Sequence, residues 1–150
     1  MSAVSSYRER LWAPPLLYVA TAMVIPASLL VFLPINSTVG EIVAACMEAA
    51  VLVLLWVLAP TIEVTPDEFR AGRAHLPREY VGSVTAYTGA EATTQRGPKL
   101  DARAWTLFRG YVQGVVKVEL TDPEDPTPYW LVSVRHPERV VEALQPRSAG

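Results

Sequence analysis

The sequence predicts an α+β membrane protein, with an N-terminal transmembrane helical hairpin followed by a small antiparallel β domain that ends in a helix. Three observations predict it. No charged residue occurs from residue 11 to residue 40, and Glu48 is the only one from residue 42 to residue 62. Apart from Arg8 and Arg10, every Lys and Arg falls after Glu63. Beyond Ile62 the apolar pattern changes from continuous to alternating, the period of a half-buried strand. Residues 1–10 are therefore expected to be a cytoplasmic N-terminus and 11–62 a two-helix transmembrane hairpin (11–34 and 41–62). Residues 63–150 are expected to form a cytoplasmic domain.

A bilayer core of about 30 Å needs about 20 apolar residues in a helix, and both segments reach that length. The first follows Arg8 and Arg10 as a signal peptide would. Its apolar run is longer than a typical signal core, and no clear small-residue cleavage pattern precedes the second apolar segment. A retained helix is the leading reading, with a cleaved signal or a soluble helical hairpin as alternatives. The connection "INSTVGE" carries no basic residue, whereas Arg8 and Arg10 precede the first helix and Arg70, Arg73 and Arg78 follow the second. Cytoplasmic flanks retain Lys and Arg, so both termini are expected in the cytoplasm of a plasma (inner) membrane, with a tight external turn near residues 36–40. The lone Cys46 lies in the second apolar segment and can form no internal disulfide. With a net charge of −2 and no basic stripe, a nucleic-acid partner is not expected.

In the remainder, "TIEVT", the turn "PDE" and "FRAGRAHLP" predict a hairpin, and "EYVGSVTAY" continues it. "TGAEATTQRGPKLDARAW" is polar with Gly and Pro and reads as a long loop, with at most a helical turn at "DARAW". Val116, Val118 and Leu120 alternate with Lys117 and Glu119, and Trp130, Val132 and Val134 alternate with Tyr129, Leu131, Ser133 and Arg135. The prolines of "PEDPTP" force the turn between these two strands. In "HPERVVEALQP", Pro137 suits a first helical turn, Val140, Val141 and Leu144 form an apolar stripe, and Pro146 stops the helix.

"YRERLW", "VTPDEFRAGRAHLPREYVGSV" and "VELTDPEDPTPYWLVSVRHPERVVEAL" together resemble an actinobacterial membrane protein family catalogued as domain of unknown function 3093. The resemblance covers nearly the whole chain and implies no activity. A membrane hairpin followed by this strand pattern and a final helix is also similar to bacterial pleckstrin-homology-like domains attached to membrane helices. That looser similarity implies a bent antiparallel sheet capped by the C-terminal helix, and no catalytic residue.

Sites with chemistry are scarce. His75 and His136 are isolated, no paired-cysteine or His-x-x-x-His spacing occurs, and neither a metal, a cofactor nor a catalytic residue is expected. "GYVQG" at residues 110–114 lacks the lysine and spacing of a phosphate loop, and its glycines read as a bend before a strand. Asp122, Glu124 and Asp125 read as a solvated turn, with weak Ca²⁺ binding as the alternative. Trp105, Phe108 and Tyr111 read as core, with a contact surface as the alternative.

Two sets of residues remain. Arg8, Arg10, Arg70, Arg73 and Arg78 are expected near the inner leaflet, and Arg96, Lys99, Arg103 and Arg109 lie in and after the polar loop. All are candidate contacts for anionic lipid, those at the leaflet worth about 1 kcal/mol each; the other reading is topology for the first group and, ahead of lipid binding, a solvated loop for the second. The second set is intramembrane. A carboxylate at mid-helix costs about 2.5–3.5 kcal/mol, so Glu48 is expected to face protein or water. Glu41 is seven residues before it, Ala44, Ala45, Ala49 and Ala50 surround it, and Thr21 and Ser28 share a face of the first helix. Glu48 is expected either as a protonated packing contact or as the docking residue for a partner helix. These readings predict a non-enzymatic adaptor or accessory subunit that presents a cytoplasmic interaction domain, with a protein partner or second copy bound through the second helix. The alternative is a lipid-binding module that reads anionic headgroups through residues 96–109.

Overall fold

Tyr7–Arg10, whose arginines read as topology signals, forms a β-strand in the computed structural model, which describes residues 7–145. This strand, β1, pairs antiparallel with β2 (Thr61–Val64), with Tyr7 opposite Val64 and Arg10 opposite Thr61. Just beyond the pair, the Leu11 N–H donates to the Pro60 carbonyl at 2.9 Å. The chain accordingly divides into two units, Met1–Leu11 with Pro60–Gly150 and Trp12–Ala59, the second inserted between β1 and β2.

The inserted unit holds α1 (Pro15–Thr21), α2 (Val24–Phe32) and α3 (Ser37–Val57). The first expected helix is broken at residues 22 and 23. Pro26 has no N–H to give the Ala22 carbonyl, which instead accepts from Ile25 N at 3.2 Å, and the chain tightens to i→i+3 bonds there. The second helix begins earlier than the expected 41, because Asn36 caps it: its Oδ1 accepts from the Thr38 N–H at 2.9 Å and the Val39 N–H at 3.3 Å. It ends at Val57, and Thr61 and Ile62 belong to β2. Both Pro15–Phe32 and Ser37–Val57 are long and apolar enough to cross a membrane, the latter spanning about 31 Å at 1.5 Å per residue. Their outward side chains are apolar and bare, with Leu16 and Leu30 each 77% exposed.

In the other unit, β3 (Glu68–Ala71) and β4 (Ala74–Pro77) extend the first sheet in the order β1-β2-β3-β4, all antiparallel. Gly72, at φ +62°, opens the two-residue β3–β4 turn, where a positive φ at the first turn position matches the twist of the strands. A 3₁₀ turn, Arg78–Tyr80, leads into a second sheet of β5 (Val81–Tyr87), β6 (Trp105–Leu107), β7 (Val115–Leu120) and β8 (Tyr129–Ser133). Its order is β5-β7-β8-β6. The β6–β8 pair is parallel, which departs from the expected all-antiparallel sheet. The connection through residues 108–114 and β7 lets β6 join the free edge of β8, and Trp105 sits opposite Trp130 with ring centroids 4.6 Å apart.

The alternation expected in β8 does not divide a wet face from a dry one, since every residue of that strand is buried. Trp130 and Val132 join Ile62, Val64, Phe69, Val116, Val118 and, from α5 (Pro137–Leu144), Val140 and Leu144 in the main core. Tyr129 and Leu131 face the other way, into a second cluster with Val115 and Ala92. Ala92 belongs to α4 (Gly89–Arg96), a helix where a loop was expected, which covers that face. "DARAW" forms a turn closed by Ala104 N to the Asp101 carbonyl at 3.0 Å, followed by β6. Trp105 and Tyr111 pack on the main core and Phe108 on the second cluster, as core residues do. Helix α5 forms as expected, while Pro146 lies outside the described residues, as do 1–6 and 147–150.

Of the two glycines in "GYVQG", Gly114 is the constrained one. A Cβ there would lie 2.6 Å from the Val134 carbonyl oxygen and 3.0 Å from Pro137 Cδ, whereas one at Gly110 would meet nothing within 4 Å. Gly114→Ala is therefore expected to destabilise the fold by about 1–3 kcal/mol through overpacking, with Gly110→Ala near neutral. Thermal unfolding of the two variants in detergent checks this, and equal melting temperatures would refute it.

Candidate functional site

Of the four helix candidates, Thr21 and Glu48 meet at the helix break. Thr21, the last residue of α1, hydrogen-bonds through Oγ1 to the Tyr18 carbonyl at 2.7 Å and to Glu48 Oε1 on α3 at 3.2 Å. The other carboxylate oxygen, Glu48 Oε2, is buried with no hydrogen-bond partner among the described residues. One helical turn earlier, Ala44 is 3% exposed, and another turn back Gly40 is buried, where an added Cβ would be 3.3 Å from Phe32 Cβ. Small residues at this spacing let helix backbones approach closely. The seam thus runs through Gly40, Ala44 and Glu48, while Ala45, Ala49 and Ala50 are exposed. Ser28, 6% exposed, donates to Met47 Sδ at 3.6 Å. Glu41 is exposed in the second turn of α3, so the structure joins Thr21 to Glu48 and leaves Ser28 and Glu41 in other surroundings.

The arginine candidates separate by what they hold. Arg78 is a brace: Nη1 donates to the Thr65 carbonyl at 3.1 Å and the Ala143 carbonyl at 3.3 Å, and Nη2 to the Leu144 carbonyl at 3.1 Å. Its fork satisfies carbonyls at the end of α5 and ties that end to the β2–β3 turn. Arg96 is a second brace, donating to the Val112 and Gln113 carbonyls at 3.1 and 3.0 Å and so fixing α4 to the segment before β7. Arg103 pairs with Asp101, whose carboxyl is held below its usual range first by the Arg103 side chain and then by the Arg103 N–H. Arg70 pairs with Glu68. Arg109 donates from Nη1 to the Phe108 carbonyl at 2.8 Å, and its N–H donates to Ser133 Oγ. Arg10 lies in β1, where its carbonyl accepts from Arg135 Nη1. Arg8, Arg73 and Lys99 are exposed.

The remaining polar residues have structural surroundings. His75 lies in β4, 3.7 Å from Glu68, and the His136 carbonyl receives the Arg139 and Val140 N–H groups at the start of α5. Asp122 and Asp125 accept from the Glu124 and Thr127 N–H groups, and Thr127 holds the Asp125 carboxyl below its usual range. Among the described residues, no group of three His, Cys, Asp or Glu side chains stands as a metal cluster. A cleft of about 750 Å³ in the sheet unit, lined by Tyr7, Arg8, Glu9, Arg135, His136 and Arg139 among others, was not foreseen. Its residues come from the two ends of the chain, and only their charges, Arg8 and Glu9 at one end and Arg135 and Arg139 at the other, hinted at it.

Fold and site define an α+β protein whose sheet unit carries an inserted pair of helices long and apolar enough to cross a membrane. Over residues 6–144 the chain matches the family described as "Protein of unknown function (DUF3093)", and it belongs to that family. No curated protein and no solved structure matches it.

The Arg78 fork gives a direct prediction. Arg78→Ala is expected to cost about 2 kcal/mol, the scale of hydrogen bonds from a charged donor, and Arg78→Lys most of that, since lysine cannot bridge three carbonyls in a fork. Chemical unfolding followed by tryptophan fluorescence measures both, and wild-type stability in Arg78→Ala would refute the brace.

Proposed function

We propose that the chain is a two-span plasma-membrane protein that holds a pleckstrin-homology-like sheet domain against the cytoplasmic face and serves as a non-enzymatic adaptor or accessory subunit. The observation that carries the reading is the β1–β2 pair. The strand before the first helix and the strand after the second are neighbours in one sheet, closed by the Leu11–Pro60 hydrogen bond. A hairpin entered and left through adjacent strands has both ends on one side of a bilayer. The basic residues of the sheet domain and the uncharged connection at residues 33–40 favour the cytoplasm as that side. The packing of α5 on the main core supports the pleckstrin-homology-like shape.

Docking through α3 rests on Glu48. Thr21 satisfies one of its oxygens and the other is buried without a partner, although a polar atom in hydrocarbon normally finds one. A partner helix laid along the exposed Ala45 and Ala49 side of α3 would bring a donor or acceptor near Oε2. Headgroup reading through residues 96–109 has less support, because Arg96 and Arg103 are engaged within the protein.

The topology is tested in a Cys46→Ala background with single cysteines at Thr38 and at Ser83, both exposed, using a membrane-impermeant maleimide on sealed vesicles of each orientation. Ser83→Cys is expected to label only from the cytoplasmic side and Thr38→Cys only from the other, and labelling of both from one side would contradict the reading. A photo-crosslinking residue at Ala45 tests docking: a discrete heavier adduct is expected, and it should be lost in Glu48→Leu. An adduct indifferent to Glu48 would remove the docking role.

A further inference from the structure

We propose that the cleft between β1, the end of β8 and α5 is a binding site for a phosphate group, with Arg8, Arg139 and His136 as its contacts. Every wall belongs to the sheet unit, and the volume of about 750 Å³ suits a small ligand. The lining is charged rather than apolar, with three arginines and His136 against Glu9 and Glu142.

These charges are not equivalent. The Glu9 side chain is 10% exposed and its carboxylate is already engaged. It accepts from the Tyr7 hydroxyl, accepts from the Arg135 N–H at 3.2 Å, and lies 3.7 Å from Arg135 Nη1. Burial, and then the bond to Glu9, hold the Tyr7 phenol far above its usual range, so Tyr7 keeps its proton and remains a donor to Glu9. Glu9 therefore offsets Arg135, whose Nη1 also donates to the Arg10 carbonyl at 3.2 Å. Arg8 and Arg139 differ, because neither has an ion pair or side-chain hydrogen bond among the described residues. Both are exposed at the cleft. His136 stands beside them, its only ion-pair neighbour among the described residues being Glu138 at 3.9 Å, which is itself exposed.

Two guanidinium forks and an imidazole offer more donors than the two oxygens of a carboxylate can use. A phosphate, with three terminal oxygens, accepts bidentate bonds from both arginines and one more from the histidine. Glu9 is already paired with Arg135, and Glu138 and Glu142, the carboxylates left to oppose an incoming anion, are both exposed to solvent. The phosphate would come either from a lipid headgroup or from a soluble phosphate compound, and the chemistry of recognition is the same for both.

The test uses the full-length protein in dodecyl maltoside, titrated with inorganic phosphate and, separately, with water-soluble dioctanoyl phosphatidic acid, by microscale thermophoresis. Saturable binding is expected for at least one of them. Binding of both would show that the phosphate group suffices, and binding of the dioctanoyl lipid alone would assign the site to a headgroup. The double variant Arg8→Ala, Arg139→Ala should weaken binding about ten-fold or more, as expected for losing charge-assisted hydrogen bonds, while Lys117→Ala, outside the cleft, should leave it unchanged. If the double variant does not fold, Arg8→Lys with Arg139→Lys replaces it and should also weaken binding, because charge is kept and the forks are lost. No saturation by either compound at about 10 mM, or wild-type affinity in the variants, would overturn the site.

Discussion

Four residues at each end of an apolar insertion hold this protein together. Pairing of Tyr7–Arg10 with Thr61–Val64 makes the chain before the first helix and the chain after the last one adjacent strands. Leu11, fully buried, adds a hydrogen bond to Pro60, and its carbonyl accepts the Tyr111 hydroxyl at 3.0 Å. The helical hairpin is thus a long loop of the sheet, and its two ends are fixed by the same ladder that builds the domain. From that constraint follow the first sheet, the position of Glu9 against Arg135, and the cleft that joins the two ends of the sequence.

The two units solve opposite burial problems. The sheet unit buries apolar side chains on both faces of its second sheet, under α5 and the first sheet on one side and α4 on the other. The helical unit leaves most of its apolar surface bare, with Leu16, Leu30 and Ile35 each at least 75% exposed. Apolar surface left bare on this scale marks a face that needs covering, and both helical segments are long and apolar enough to cross a membrane. Within that unit Glu48 accepts a hydrogen bond from Thr21 of the facing helix.

What was legible in the sequence followed from burial patterns long enough to show a period. The α3 helix, the β2–β3–β4 meander, the β7–β8 hairpin and α5 all carry such patterns, and the family match spans them within residues 6–144. What was not legible depended on tertiary partners. Strand β1 has only four residues, three of them charged, so nothing in it contrasts with a topology signal. Helix α4 buries only Ala92 and Gln95, too little for an apolar stripe, and is anchored by Arg96 reaching carbonyls of a distant segment. Arg78 likewise looked like a membrane-flanking charge, yet its bonds go to carbonyls as far away as residue 144. In the helical hairpin, Thr21 meets Glu48 beside the break that Pro26 makes in the first helix, a contact that neither helix shows alone.

The most direct measurement of the account is hydrogen exchange by mass spectrometry on the full-length protein in lipid nanodiscs, read on peptides covering residues 7–11 and 61–71. If β1 is a strand of the sheet, the amides of residues 7–11 exchange about as slowly as those of 61–71, because both open only with the domain. Exchange of residues 7–11 at the rate of an unstructured chain, beside full protection of 61–71, would contradict it.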